Sequence, residues 1–286
     1  MNGSPTQERS LKAAAQAAIP PFLWTALRRL RLKWTLATFP RRVVQHEYAG
    51  FPLRLQISDP LASAWYDLDW LEPPAIELLR QHGLREGAGV FNIGAHQGLI
   101  ALILSRVVGP SGRVVAVEAM KFNAAAAARN RDLNEVSQLT ILHAAVGEEN
   151  GRLSFSPSLN GKLDQASVSW GRMTVEAVTI DELSRRYGHP DVLFIDIEGF
   201  ECRALKGATG TLARRPDCVI EVHVGRGLET FGGSLDSLLE FFPPDAFTLY
   251  MALDEKTSKA QQGYWPLDRA DPLVRDLFQL VALGRR

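Results

Sequence analysis

The chain is poor in cysteine. Cys202 and Cys218 are the only two in 286 residues, too few for the dense disulfide framework that stabilises small secreted domains. Both read as buried thiols in a reducing, cytoplasmic setting. No apolar run approaches the ~18 to 20 residues that span a bilayer, and the N-terminus lacks an apolar signal region followed by a small-residue cleavage site. Net charge is missing as well: 32 basic residues balance 32 acidic ones. That balance argues against a dedicated nucleic-acid partner and for small-molecule ligands. The charge asymmetry is local. Between Glu8 and Glu47 there are no acidic residues, while Arg9, Lys12, Arg28, Arg29, Arg31, Lys33, Arg41 and Arg42 all fall there.

Within that basic stretch, Leu23, Leu27, Leu30 and Trp34 share one helical stripe after Pro20-Pro21, because positions three, four and seven apart return to the same face. The first expectation is that the main domain or a partner subunit covers this stripe. The alternatives are contact of residues 20–42 with an anionic membrane surface, as a basic amphipathic helix allows, and an organelle-targeting sequence. Residues 43–57 read as a hairpin turning at Gly50, with Leu53, Leu55 and Ile57 alternating, a lid or edge ribbon. Residues 1–60 thus form a basic arm and hairpin, and residues 61–286 the main domain. The stretch Trp65 to Pro74 is aromatic and acidic. Its prolines suit the start of a helix running to about Gly83, and its tryptophans read as core before they read as a pocket wall.

From Gly89 onward apolar strand-like runs alternate with helical ones, the pattern of a mostly parallel sheet with helices on both faces. Strands are expected at 89–94, 113–118, 139–146, 191–197 and 218–223, with helices at 97–107, 121–134, 200–213 and 233–242. Residues 150–180 interrupt the rhythm with a ribbon at 152–156, a polar loop at 157–172 suited to acceptor contacts, and an apolar run at 175–180. Two last strands are expected at 247–253 and 278–283. The most informative stretch is Val90 to Gly98, where an apolar strand meets glycines four apart and then a helix. Gly94 is expected to take a positive φ and admit a ligand to the backbone, and Gly98 to let the helix pack close to the strand. The strand 113–118 ends in Glu118, the place from which doubly wound folds bind a ribose diol.

Two further strands end in ionisable groups. Asp196 and Glu198 follow the apolar run Val192–Ile195 and, by the period of two, are expected on one face at the carboxyl edge. Glu221 and His223 repeat the arrangement on the next strand. A carboxylate or imidazole there can take a proton from a substrate hydroxyl, and clustered oxygens can instead hold a divalent cation. His96, at the opening of the helix, faces either ligand or solvent.

Taken together, Phe91–Gly98, Val115–Glu118, Leu142–Gly147, Leu193–Glu201 with Ala204–Ala208, and Ile220–His223 resemble the FkbM family of S-adenosylmethionine-dependent methyltransferases over residues 70 to 224. The resemblance implies a class I methyltransferase fold: a Rossmann-like, mostly parallel seven-stranded sheet with helices on both faces. It implies O-methylation of a hydroxyl on a sugar, lipid or secondary metabolite, so the expected partner is a small-molecule, glycan or lipid acceptor, with oligomeric state left open. S-adenosylmethionine would be held by Asn92, Gly94 and Ala95 at its methionine end and by Glu118 at its ribose, with His96 and Gly98 also among the cofactor-binding residues. Asn123 follows at familiar spacing, Ala144 and Ala145 border the adenine, and Asp196 borders the methyl. Asp196 and Glu198 would orient substrate, cofactor or a metal, with His223 or Glu221 as base; no metal is assigned. Most relatives carry aspartate at the position of Asn92 and lysine at that of Phe194. Those departures keep a catalytically inactive binding or scaffold module as the alternative. A nicotinamide-dependent dehydrogenase is disfavoured, because the corner lacks the G-x-G-x-x-G spacing.

Overall fold

The computed structural model describes residues 21–155, 173–253 and 263–285. The polar loop 157–172 and the first 20 residues of the arm therefore lie outside the described residues.

Pro21 opens α1 (Pro21–Thr38), a position where the missing proline N–H costs no hydrogen bond. The main domain does not cover its apolar stripe as first expected: Leu23 is 46% and Trp34 69% exposed. The face of the core nearest in sequence is closed instead by the hairpin of β1 (Arg42–Tyr48) and β2 (Phe51–Ile57). Its two-residue turn, Ala49-Gly50, has positive φ at both positions (52° and 78°), the geometry that matches strand twist. Leu53, Leu55 and Ile57 are buried beneath it. Next come α2 (Pro60–Tyr66), which the sequence reading did not anticipate, and α3 (Pro74–Arg80), which stops short of Gly83. The Asp59 carboxylate caps α2 by accepting from the Ala62 N–H at 2.8 Å.

The alternating part runs β3 (Gly89–Ile93), α4 (Leu99–Val108), β4 (Arg113–Glu118), α5 (Lys121–Leu133) and β5 (Leu139–His143). The expected strand 139–146 divides at Ala144, because β6 (Ala145–Val146) leaves to pair with β8 (Met173–Val178) beside β7 (Gly151–Phe155). Then follow α6 (Ile180–Tyr187), also unanticipated, β9 (Val192–Ile195), α7 (Glu201–Lys206), α8 (Thr209–Leu212) and β10 (Asp217–His223). The single helix expected over 200–213 breaks at Gly207, where a Cβ would lie 2.4 Å from the Gly147 carbonyl. The chain closes with α9 (Leu235–Leu239), β11 (Phe247–Ala252), β12 (Tyr264–Pro266) and β13 (Leu277–Gly284).

The main sheet has the order β12-β11-β13-β10-β9-β3-β4-β5. Strands β5, β4, β3, β9 and β10 are parallel, and β13 runs antiparallel to both β10 and β11. The seven expected strands are present, and short β12 adds an eighth at the edge. Buried residues alternate between two apolar layers: Val90 and Val192 face one, Phe91, Ile93, Leu193 and Ile195 the other. On the first layer α5 ties the hairpin down. Gln56 N–H donates to Asn130 Oδ1 at 2.7 Å, Arg54 N–H donates to Asn134 Oδ1 at 3.0 Å, and Asn134 Nδ2 returns a bond to the Arg54 carbonyl at 2.7 Å. These side chains satisfy backbone groups that an edge strand otherwise leaves unpaired. Strand order reverses between β3 and β9, the switch point where open α/β sheets bind ligands.

Candidate active site

At that switch point the strand tips enclose a cavity of about 340 Å³, a size typical of small-molecule sites. Asn92, Gly94, Ala95 and His96 from the end of β3, Glu118 from β4, and Ala144 and Ala145 after β5 line one side. Asp196, Glu198, Glu221 and His223 line the other. Gly98 and Asn123 stand behind the wall rather than in it.

The glycine corner forms as expected, but two of its reasons change. Gly94 has φ +86°, and a Cβ there would sit 1.7 Å from the Asp196 carbonyl oxygen. Glycine is required first by the neighbouring strand end, and the space for a ligand is a by-product. Gly98 has φ +91° and approaches Ala127 of α5, 3.1 Å from a built Cβ, so it serves helix–helix contact and not contact with the strand. His96 has a positive φ of 48°. That turn aims its backbone N–H at Glu118 Oε2 (2.8 Å), while the Met120 N–H meets Oε1 (2.7 Å) and the Asn123 side chain adds a third bond. Asn123 is thus a positioning residue for Glu118. Burial of this carboxyl outweighs those bonds and raises its pKa from 4.5 to about 7.

The two departures from the family pattern prove to be neighbours. Asn92 on β3 and Phe194 on β9 stand opposite each other in register, and both line the cavity. Loss of one charge from a buried pair would strand the other. Neither position carries a charge here, so no buried charge is left without its partner. Asn92 is 1% exposed, and its Oδ1 makes no hydrogen bond. A buried acceptor without a donor is costly in a finished fold, and it suits an ammonium group such as that of S-adenosylmethionine. Together with the diol-sized acceptor pair of Glu118, it makes the residues present a fit for that cofactor.

Four ionisable side chains converge on the far side. The pleat of β9 does not place Asp196 and Glu198, since the strand ends at Ile195. A turn does so, with Glu198 at φ +55° and Gly199 at +104°. On β10 the period of two does hold for Glu221 and His223. His223 is 3% exposed. Its Nε2 lies 3.5 Å from a carboxylate oxygen of Glu198, 3.5 Å from one of Glu221 and 3.9 Å from one of Asp196. Its Nδ1 lies 2.9 Å from Glu201 Oε1. Glu201 is fully buried and also accepts from the Gly199 N–H at 2.8 Å. Burial alone would lower the imidazole pKa, but the Glu201 bond and the charges of Glu201, Glu221 and Glu198 hold it above the ordinary histidine value. Burial, then the adjacent Glu221, raises Asp196 well above the ordinary aspartate range.

Several residues of the site escaped the sequence reading. Glu201 has a local signal: it is the third acid in six residues, on the first turn of α7, where the helix turns it inward. Trp65 and Trp70, for which the sequence allowed both core and pocket wall, do both: they line the cavity with Tyr66 and pack against the core. The Tyr66 hydroxyl bonds His96 Nδ1 at 2.8 Å, and the Trp65 ring lies 5.3 Å from the His96 ring. Arg226 also lines the cavity and pairs with Asp276 at 2.6 Å, and nothing in its local sequence marks it.

The chain is similar to several known proteins. A curated relative, the hexuronic acid methyltransferase AglP of Haloferax volcanii, is 33% identical over 87 residues, covering 29% of this chain and 36% of that protein. The match thus spans about a third of the relative's length. Among solved structures, an S-adenosylmethionine-dependent O-methyltransferase of Thermotoga maritima overlays with a TM-score of 0.42 at 14% identity, over 86% of this chain and 79% of that one. An rRNA methylase of Streptococcus thermophilus gives 0.44 at 11% identity, over 73% and 93%. Overlays this loose add nothing to the topology already described. The model of the methyltransferase FkbM domain matches residues 92–247, from Asn92 through the glycine corner, Glu118 and the acidic strand tips. The chain therefore belongs to the FkbM family of S-adenosylmethionine-dependent methyltransferases, with their Rossmann-like α/β fold.

Proposed function

We propose that this protein is an O-methyltransferase acting on a hydroxyl of a sugar or a sugar-bearing lipid or metabolite. The observation that carries the reading is the convergence of Asp196, Glu198, Glu221 and His223 across one cavity from the Gly94 corner and Glu118. S-adenosylmethionine, when bound, supplies a methyl group already activated by its sulfonium. What remains for the chain is to fix an acceptor oxygen in line and to receive its proton. Asn92 and Glu118 hold the two ends of the cofactor. Glu198 and Asp196 orient the acceptor hydroxyl, and Glu221 or Nε2 of His223 takes the proton, with Glu201 fixing the ring. The aromatic wall of Trp65, Tyr66 and Trp70 offers flat apolar faces with polar tips, matched to a ring that is apolar on its face and hydroxylated at its rim. The hexuronic acid named for the curated relative supports a sugar acceptor. Since the register pairs Asn92 with Phe194, their substitution does not favour an inactive scaffold.

The test is transfer of labelled methyl from S-adenosylmethionine to a panel of glycosides, hexuronic acids and glycolipids, with Glu198→Ala alongside. Transfer to a sugar hydroxyl is expected, lost in the variant while S-adenosylhomocysteine still binds. Unchanged turnover in the Glu198 variant refutes its role, and preferential binding of NAD refutes the reading entirely.

We also propose that residues 20–42 rest on an anionic membrane surface. All the exposed large apolar side chains among the described residues fall between Leu23 and Leu71. The α1 stripe runs through a segment with basic residues and no acidic ones, which complements anionic headgroups. Among the described residues, no helix is long and apolar enough to cross a membrane. Sedimentation with phosphatidylglycerol vesicles, but not with phosphatidylcholine vesicles, is expected, and is lost in L27E/W34E. Equal partitioning of that variant refutes the contact.

A further inference from the structure

We propose that the tips of β9 and β10 form a divalent-cation site, with Asp196, Glu221 and His223 as its protein ligands. The proposal rests on the methyl-transfer reading for its purpose but not for its geometry. One carboxylate oxygen of Asp196, one of Glu221 and a ring nitrogen of His223 lie within 4.8 Å of one another. Ligand atoms held at about 2.0 to 2.2 Å from one ion stand about 3 to 4 Å apart, so a contraction of about 1 Å closes the set. His223 Nε2 is already 3.5 Å from Glu221 and 3.9 Å from Asp196.

Two further observations point to an ion and not merely to crowded acids. The first is the far side of the imidazole. His223 is 3% exposed, and its Nδ1 is tied to the fully buried Glu201 at 2.9 Å. A ring that gives its Nδ1 proton to a carboxylate presents the Nε2 lone pair opposite, the carboxylate–histidine–metal arrangement in which the outer acid fixes tautomer and orientation. Glu201 is itself fixed by the Gly199 N–H. The second is Asp196 Oδ1, a covered atom with no hydrogen-bond partner on a side chain that is otherwise 40% exposed and that bonds Glu221. A buried carboxylate oxygen in that position is expensive without a donor or a cation to face it.

The ligand set also indicates which ion. Two carboxylates and one imidazole suit a first-row ion such as Mn²⁺ or Zn²⁺ better than Mg²⁺ or Ca²⁺, which favour oxygen throughout. Three protein ligands leave positions open toward the cavity that also holds the Gly94 corner and Glu118. An ion there would draw charge from an acceptor hydroxyl and make it more acidic. With Glu221 and His223 engaged as ligands, Glu198 would replace them as the group that receives the proton as the oxygen–methyl bond forms and the sulfonium–methyl bond breaks, leaving the thioether.

The experiment titrates the EDTA-stripped full chain with MnCl₂ by calorimetry, without cofactor or acceptor. One Mn²⁺ per chain is expected, with MgCl₂ weaker by tenfold or more. Asp196→Asn and His223→Gln should each weaken Mn²⁺ by tenfold or more, and Glu201→Gln by about 10- to 100-fold through the ring it orients. Electron spin-echo spectroscopy of the Mn²⁺-loaded wild-type protein reads the same question without a variant: a ¹⁴N coupling from a directly bound imidazole is expected. No saturable Mn²⁺ or Zn²⁺ binding, binding unmoved by the substitutions in folded protein, or a spectrum without the nitrogen coupling overturns the site. A parallel titration with S-adenosylhomocysteine separates the two failures. If it binds while the ions do not, only the cation site falls; if it fails to bind, the methyltransferase reading falls as well.

Discussion

Glu118→Gln separates what this carboxylate costs the fold from what it does for the cofactor. Burial carries its pKa from 4.5 to about 7. The folded chain holds that proton more tightly than the unfolded chain does. The stability it contributes is therefore fully present below about pH 4.5 and is lost as pH rises through about 7. At about 1.4 kcal/mol per pH unit the full loss is about 3 kcal/mol, of which about 2 to 3 kcal/mol falls between pH 5 and pH 8. The group is 6% exposed, so solvent screens little of this. Glutamine does not titrate. The variant should therefore gain that amount on the wild type between pH 5 and pH 8, roughly 3 to 6 °C in melting temperature for a chain of this size. Cofactor binding should move the other way. A hydrogen bond to a charged acceptor contributes about 1.5 to 3 kcal/mol, so loss of the ribose acceptor should weaken S-adenosylhomocysteine by about 10- to 100-fold at pH 8. Cofactor-free melts at the two pH values and calorimetry at pH 8 provide both readings. Parallel pH profiles for the two proteins, or affinities within threefold, would refute the reasoning.

Gly94→Ala places a methyl 1.7 Å from the Asp196 carbonyl at a φ of +86°. It should cost about 3 kcal/mol or more in denaturant unfolding, and a wild-type midpoint would contradict the packing described for that corner. Asn92→Asp puts a charge at a site 1% exposed, beside Phe194. It should destabilise the cofactor-free protein by several kcal/mol, and Phe194→Lys added to it should recover at least about 1 kcal/mol, measured as the coupling in a double-mutant cycle. Strictly additive effects would show that the two positions do not communicate.

The glycine corner, the run from Arg113 to Glu118 and the hairpin turn at Gly50 were legible in the residues themselves. Each depends on neighbours in sequence: an apolar run sets a buried strand, and a glycine sets a positive φ. Helix α2 was missed because it is a seven-residue segment behind its cap Asp59, and α6 because its apolar residues, although Ile180, Leu183 and Tyr187 stand at helical spacing behind the cap Thr179, continue the strand-like run 175–180. The grouping of Asp196 with Glu198 was anticipated for a reason that fails, since a left-handed turn and not a pleat brings them together. Three contacts could not be read locally. Asn92 meets Phe194 across two adjacent strands, Glu201 on α7 meets His223 on β10, and Gly94 is compelled by a carbonyl more than a hundred residues away.

From the residues alone came seven strands of the main sheet in chain order, the sheet edge that carries ionisable groups, and the family. Tertiary structure alone decided which of those groups touch, which acid stands behind the imidazole, and that the arm's apolar stripe is left uncovered. The division has a physical cause. Backbone preference and burial periodicity act over a few residues, whereas side-chain contacts across a sheet depend on strand register, which the packing of the whole domain sets.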